Sequence, residues 1–173
     1  METVYYSKEI HRTMGEHTAN FRFYDKQNTW RGEVVLQEKT IDFLLPHNCI
    51  LYGKEAAAEL DWACADAFLA YYLPRHADIQ AKANKRLARL ARQIAWWCEE
   101  ELAVGWFKLN CIEVKSIRTK TFLGESHKFE DRFIYKIHYY FVGSADRYWI
   151  DTYGAWSAVF KNDWCMGAER AQC

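Results

Sequence analysis

Proline is almost missing from this chain: two residues in 173, at positions 46 and 74, alongside eight glycines. No stretch is rich enough in Pro, Gly or Ser to act as a linker, which excludes a string of tethered modules. Net charge is missing as well. The 23 basic side chains balance 23 acidic ones, so no overall positive field draws the chain to nucleic acid, and such a role must come from a local patch. No apolar run approaches the roughly 18 residues that span a bilayer. The opening METVYYSKEIHRTMGEH is polar and charged and lacks the apolar core of a secretory signal. The expectation is an intracellular, cytoplasmic protein with no membrane partner.

Signatures of chemistry are also lacking. The six cysteines stand at 49, 64, 98, 111, 165 and 173, too far apart for a CxxC pair. In that compartment they read as reduced, mostly buried thiols. There is no GxGxxG, no P-loop and no GxSxG. The histidines, at 11, 17, 47, 76, 127 and 138, offer no short-spaced ligand pair for zinc. His127 precedes Glu130 and Asp131, an acid/base grouping in principle. His138 shares a strand face with Arg132 and Lys136, which disfavours its protonation. The expectation is no metal, no cofactor and no assignable catalytic residue, leaning away from an enzyme.

What the chain has in abundance is apolar and aromatic surface. Half of it is hydrophobic and 17% is aromatic, which excludes disorder and supplies a core for one domain of this length. Residues 20–25 and 29–38 read as strands around a turn at 26–28, and 41–45 as a third strand stopped by Pro46. Residues 54–73, rich in alanine, read as a helix with Leu60, Cys64, Ala67 and Tyr71 on one face. Pro74 ends or kinks it. A second helix follows, with Ile79, Ala83, Leu87, Leu90, Ile94 and Trp97 on an apolar stripe at about 100° per residue. After Gly105 come three long strands, 106–122, 132–142 and 147–160. The first slips in alternation near Cys111-Ile112, the mark of a bulge. Phe133, Tyr135, Ile137, Tyr139 and Phe141 form one face of the second. Tyr135 and Tyr139 read as core, or as the lining of a ligand cleft.

The expected fold is a single α+β domain: a twisted antiparallel sheet, with a β-meander in its C-terminal half, packed against a central helix pair. Its parts are N-terminal strands (1–52), a helix pair broken at Pro74 (53–104), the meander (105–160) and a tail (161–173).

The sharpest local feature is a row of positive charge on the second helix. Lys82, Lys85, Arg89, Arg92 and Trp96 recur at spacings of three and four, with Arg86 beside them. Three readings compete. The row pairs with Glu55, Glu59 and Asp66 of the preceding helix; it docks an acidic protein; or it tracks phosphates while Trp96 stacks on a base. The favoured function is a small non-enzymatic binding protein, an inhibitor or adaptor of the kind mobile genetic elements direct at host systems. Lys82, Lys85, Arg86, Arg89, Arg92 and Trp96 would then be its partner-binding residues. A protein partner is favoured. Nucleic acid binding is the alternative, self-association stays open, and an enzyme with a cleft between helices and sheet ranks third.

Overall fold

Alternating side chains build an eight-stranded, mostly antiparallel sheet in the computed structural model. Residues 8–14, 17–24, 29–36, 38–46, 62–94, 104–118, 131–142 and 154–172 are described. The first meander consists of β1 (Lys8–Met14), β2 (His17–Tyr24), β3 (Thr29–Leu36) and β4 (Lys39–Pro46). The second consists of β5 (Phe107–Arg118), β6 (Arg132–Phe141), β7 (Gly154–Lys161) and β8 (Trp164–Gln172). Between them β4 and β5 pair in parallel, through Asp42↔Cys111, Phe43↔Ile112 and Leu44↔Glu113. Parallel neighbours need a long crossover, here containing the helix.

One face of the sheet is the core face. Phe21, Gly32, Phe43, Ile112, Ile137 and Ala158 form a single row across six strands, and all six are buried. Gly32 is required there: a Cβ would collide with the ring of Phe21. Two register shifts in β5, between Leu109 and Cys111 and between Val114 and Ser116, insert an extra residue each. They keep Leu109, Ile112, Val114 and Ile117 on the same face despite their uneven spacing. The first lies beside the slip expected at Cys111-Ile112.

The expected helix pair is corrected to one helical run over 62–94. α1 (Trp62–Tyr72) passes through a single 3-10 turn, Leu73–Arg75, into α2 (His76–Ile94). Tyr72 and His76 both keep right-handed helical angles on either side of Pro74. Proline removes one amide and crowds the carbonyl four residues back, here Ala70. Both Ala70 and Pro74 are exposed, so water can take up the freed carbonyl, and the tighter turn absorbs the crowding. The buried positions continue through the turn: Ala65, Phe68, Leu69, Tyr72, Leu73, Ile79, Ala83, Leu87 and Ala91. The apolar face of α1 therefore lies beside the expected one; Ala67 and Tyr71 are only partly buried, and Leu60 lies outside the described residues.

Two strands exceed the expectation. β1 falls in the polar N-terminal stretch, and β8 in the supposed tail. The β7–β8 turn is set by Asn162, one of two non-glycine residues with positive φ among those described, a conformation asparagine tolerates well. Its backbone amide donates to Phe133 O at 2.8 Å and its Oδ1 accepts from Phe133 N at 2.8 Å. Its carbonyl accepts from Tyr135 Oη at 2.7 Å, and its Nδ2 donates to Asp131 O at 3.1 Å. One residue thus ties the last hairpin to the start of β6, through its backbone and its side chain.

Helix and sheet meet through aromatic rings. Phe68 lies edge-on to Phe43, stacks on Tyr72, and tilts against Phe133 and Tyr135. At the other end Phe107, Phe141 and Trp156 pack together, with the Arg170 guanidinium 5.9 Å from the Trp156 ring centre. Tyr135 and Tyr139 are core residues, as the first of their two readings held. No helix among the described residues is long and apolar enough to cross a membrane.

Candidate partner-binding face

Three polar arrangements stand on this frame: one inside it, one on the open face of the sheet, and one on the outward face of α2.

The internal one is a chain of neutral hydrogen bonds. The Tyr139 hydroxyl donates to Gln80 Oε1 at 2.7 Å, and Gln80 Nε2 donates to the Tyr72 hydroxyl at 3.2 Å. Tyr72 Oη lies 3.0 Å from His76 Nδ1. Tyr72 is fully buried, so its proton needs an acceptor. Gln80 already donates to Tyr72, so the acceptor is His76 Nδ1, and the ring proton sits on Nε2. Burial, with a smaller contribution from the Lys39 charge, pushes the His76 pKa down and holds the ring neutral. Burial likewise raises the Tyr72 and Tyr139 hydroxyls well above their usual range. These groups fix the helix on the sheet.

On the open face, the row Asp42, Cys111, His138, Ser157, Glu169 runs across five strands. His138 Nε2 lies 2.9 Å from Glu113 Oε2, the one place where a described histidine meets a carboxylate. Glu113 also holds Lys115. The His138 hydrogen bond, ahead of Lys115, pulls the Glu113 pKa down to about 2. Arg31 pairs with Asp42, and Lys136 with Glu169, which also accepts from Ser157 Oγ at 3.1 Å. Cys111 faces His138 in register, but no hydrogen bond joins them among the described residues. Burial, then the Glu113 and Asp42 carboxylates, pushes its thiol up to about 11. That is the reverse of what a nucleophilic cysteine needs.

The outward face of α2 differs. Lys85, Arg86, Arg89 and Arg92 are exposed; Lys85, Arg89 and Arg92 lie away from the stripe of Ile79, Ala83 and Leu87, while Arg86, seven residues on from Ile79, flanks it. Lys82 is the sequence-predicted residue whose pairing is seen. It bridges Asp78 Oδ2 at 2.8 Å and Asp163 Oδ2 at 3.4 Å, and donates to Asp163 O at 3.2 Å. Hydrogen bonding to Asp78, then Asp163, raises its pKa. Lys85, Arg86 and Arg92 form no ion pair with a described residue. Of the expected pairing with Glu55, Glu59 and Asp66, the part with Asp66 is corrected, since α1 and α2 run end to end. Asp66 lies about five helical turns before Lys85 (about 3.6 residues per turn), and Glu55 and Glu59 lie outside the described residues. So does Trp96.

His127 and Glu130 also fall outside the described residues; Asp131 is exposed. Sequence reasoning missed the Lys82–Asp163 contact and the whole open-face network, because both depend on strand register. Among the described residues no cluster of His, Cys, Asp or Glu could hold a metal ion. Cys111 and Cys165 are free thiols.

Comparison with known proteins finds no matching family model, no matching curated protein and no matching solved structure.

Proposed function

We propose that this chain is a non-enzymatic binding protein, an inhibitor or adaptor, that docks an acidic surface of a partner protein through the outward face of α2. The observation that supports it is the exposed row Lys85, Arg86, Arg89, Arg92, on a helix whose other charges, Asp78 and Lys82, are paired with each other. Among the described residues Lys85, Arg86 and Arg92 have no ion-pair partner, and a cationic face of this kind attracts an anionic partner, speeds encounter and loses strength in salt. The zero net charge of the whole chain favours a local protein contact over general attraction to nucleic acid.

The test is fluorescence polarisation with a labelled polyglutamate peptide of about 20 residues, beside DNA and RNA of similar charge, across a salt series. The wild type is compared with the triple variant Lys85→Glu, Arg86→Glu, Arg92→Glu. Lys82 is spared because it also holds the β7–β8 turn. Salt-sensitive binding of polyglutamate, lost in the variant, is the expected result. Tight binding of nucleic acid with weak polyglutamate binding transfers the face to phosphate recognition. No binding of either at low salt removes the reading.

A further inference from the structure

We propose that Trp164 anchors the docking contact, so that the acidic segment of the partner also carries a bulky apolar side chain, set between carboxylates. This rests on the reading of α2 as a docking face and names the class of segment that docks there.

Of the large apolar side chains exposed among the described residues, Trp164 at 64% and Met166 at 39% are the two on a strand that α2 packs against. Strand register accounts for both. Trp164 pairs with Lys161 across the Asn162-Asp163 turn, in a row that runs on through Ile134 to Ser116. The next residue, Cys165, pairs with buried Phe160 and packs against the core. Side chains alternate along a strand, so Trp164 stands on the open face. Met166 is the extra residue of the register shift, because Cys165 faces Phe160 and Gly167 faces Val159. A bulge of this kind re-aims a side chain. Tryptophan and methionine are concentrated in protein interfaces, and tryptophan leads the residues that carry binding energy.

The charges around this anchor select what meets it. Lys161, directly opposite Trp164, forms no ion pair with a described residue, and neither does Arg86 on the helix side. Arg86 is close enough to Cys165 for its charge to lower that thiol's pKa, against the larger upward effect of burial. The neighbouring charges are already engaged: Asp163 holds Lys82, and Glu169 holds Lys136. Two cations without internal partners therefore bracket the segment that carries Trp164 and Met166. An anion alone would leave the indole in water, and an apolar side chain alone would leave both cations unanswered. A segment with a bulky apolar residue between acids answers both at once.

Two labelled peptides of about 20 residues test this by fluorescence polarisation against the full chain. One is polyglutamate, and the other carries phenylalanine at its two central positions. The wild type is compared with Trp164→Ala, whose denaturation midpoint is checked first. The wild type should bind the phenylalanine peptide about tenfold more tightly, in the range for an interface tryptophan. Trp164→Ala should lose that preference while its polyglutamate affinity stays within about twofold of wild type. A second readout needs no truncated variant. In isotopically labelled wild type, the Trp164 indole N–H signal, identified by its absence from Trp164→Phe, should shift more with the phenylalanine peptide than with polyglutamate. Equal binding of the two peptides, or a preference that survives Trp164→Ala, overturns the anchor and leaves the basic docking face standing. No binding of either peptide overturns both. Single-stranded DNA of similar charge, bound more tightly than either peptide and lost in Trp164→Ala, overturns it in favour of base stacking. Peptide-free, concentration-dependent shifts of the indole signal overturn it in favour of a second copy of the chain.

Discussion

The open face of the sheet and the outward face of α2 are both charged, yet their charges are arranged in opposite ways. On the sheet, Arg31, Lys115 and Lys136 each have a carboxylate beside them, as does His138. On the helix, Lys85, Arg86, Arg89 and Arg92 follow one another with no acid between them. A charge already paired within the fold has little left to offer a ligand, and its worth is local stability, commonly below about 1 kcal/mol for an exposed pair. Like charges held in a row repel each other slightly, and Lys85, Arg86 and Arg92, which form no ion pair with a described residue, gain when an anion arrives. The same residue types therefore read as structure in one place and are proposed as a docking face in the other.

Both surfaces depend on the helix staying seated on the sheet, so the largest effect belongs to the seam between them. Phe68→Ala removes a fully buried ring that touches four other rings. A loss of about 3–5 kcal/mol is expected for such a truncation, measured by chemical denaturation. A loss under about 1 kcal/mol would mean that the helix is not held where it is described.

The next effect sharpens the sheet side. Glu113→Gln removes the carboxylate that holds both His138 and Lys115 and that raises the Cys111 thiol. A destabilisation of about 1–2 kcal/mol is expected, in the range for a charged hydrogen bond. Faster alkylation of Cys111 at pH 8 should accompany it, as the thiol pKa comes down from about 11. Stability lost without a change in thiol reactivity would break the proposed closeness of the two groups.

Smaller still is the direct contrast of the two faces. A double-mutant cycle on Lys136 and Glu169 should return a coupling of a few tenths to about 1 kcal/mol. Reversing Lys85, Arg86 and Arg92 together should leave stability within about 0.5 kcal/mol of wild type. A large loss in the helix triple would show that those cations are structural after all.

The difference between the faces was only half legible in the sequence. The helix row was visible because its spacing is local: residues three and four apart share a face whatever surrounds them. The clean alternation of Phe133, Tyr135, Ile137 and Tyr139 likewise gave the buried side of β6. The open-face pairs join residues 11 to 33 apart in sequence, with the exception of Glu113–Lys115. They exist only because of strand register, which no single segment specifies. Pro74 does not break the helix because it is exposed, and the apolar stripe runs on through it. β8 escaped notice because its register shift opposite Phe160 and its Gly-Ala centre blur the alternation that marks a strand.

The smallest expected effect lies between the two faces, at His76. The Glu113 carboxyl, near 2, stays ionised in mild acid. The neutral chain from Tyr139 through Gln80 and Tyr72 to His76 is more sensitive, because it needs a bare Nδ1. The folded-state pKa of His76 lies below its ordinary value of 6.5, so as pH falls the unfolded chain takes up this proton first. The contribution is then fully present above about pH 6.5 and declines as pH falls through the lower folded-state value. Denaturation midpoints at pH 7.5 and 5.0, for wild type and for His76→Asn, isolate this from the other histidines. Asparagine can still accept from Tyr72 through its oxygen but does not titrate. The wild type should lose more stability than the variant over that interval, and nitrogen shifts should show the neutral ring protonated at Nε2. Equal slopes for the two proteins, or a proton found on Nδ1, would mean that the chain of hydrogen bonds runs in the other direction.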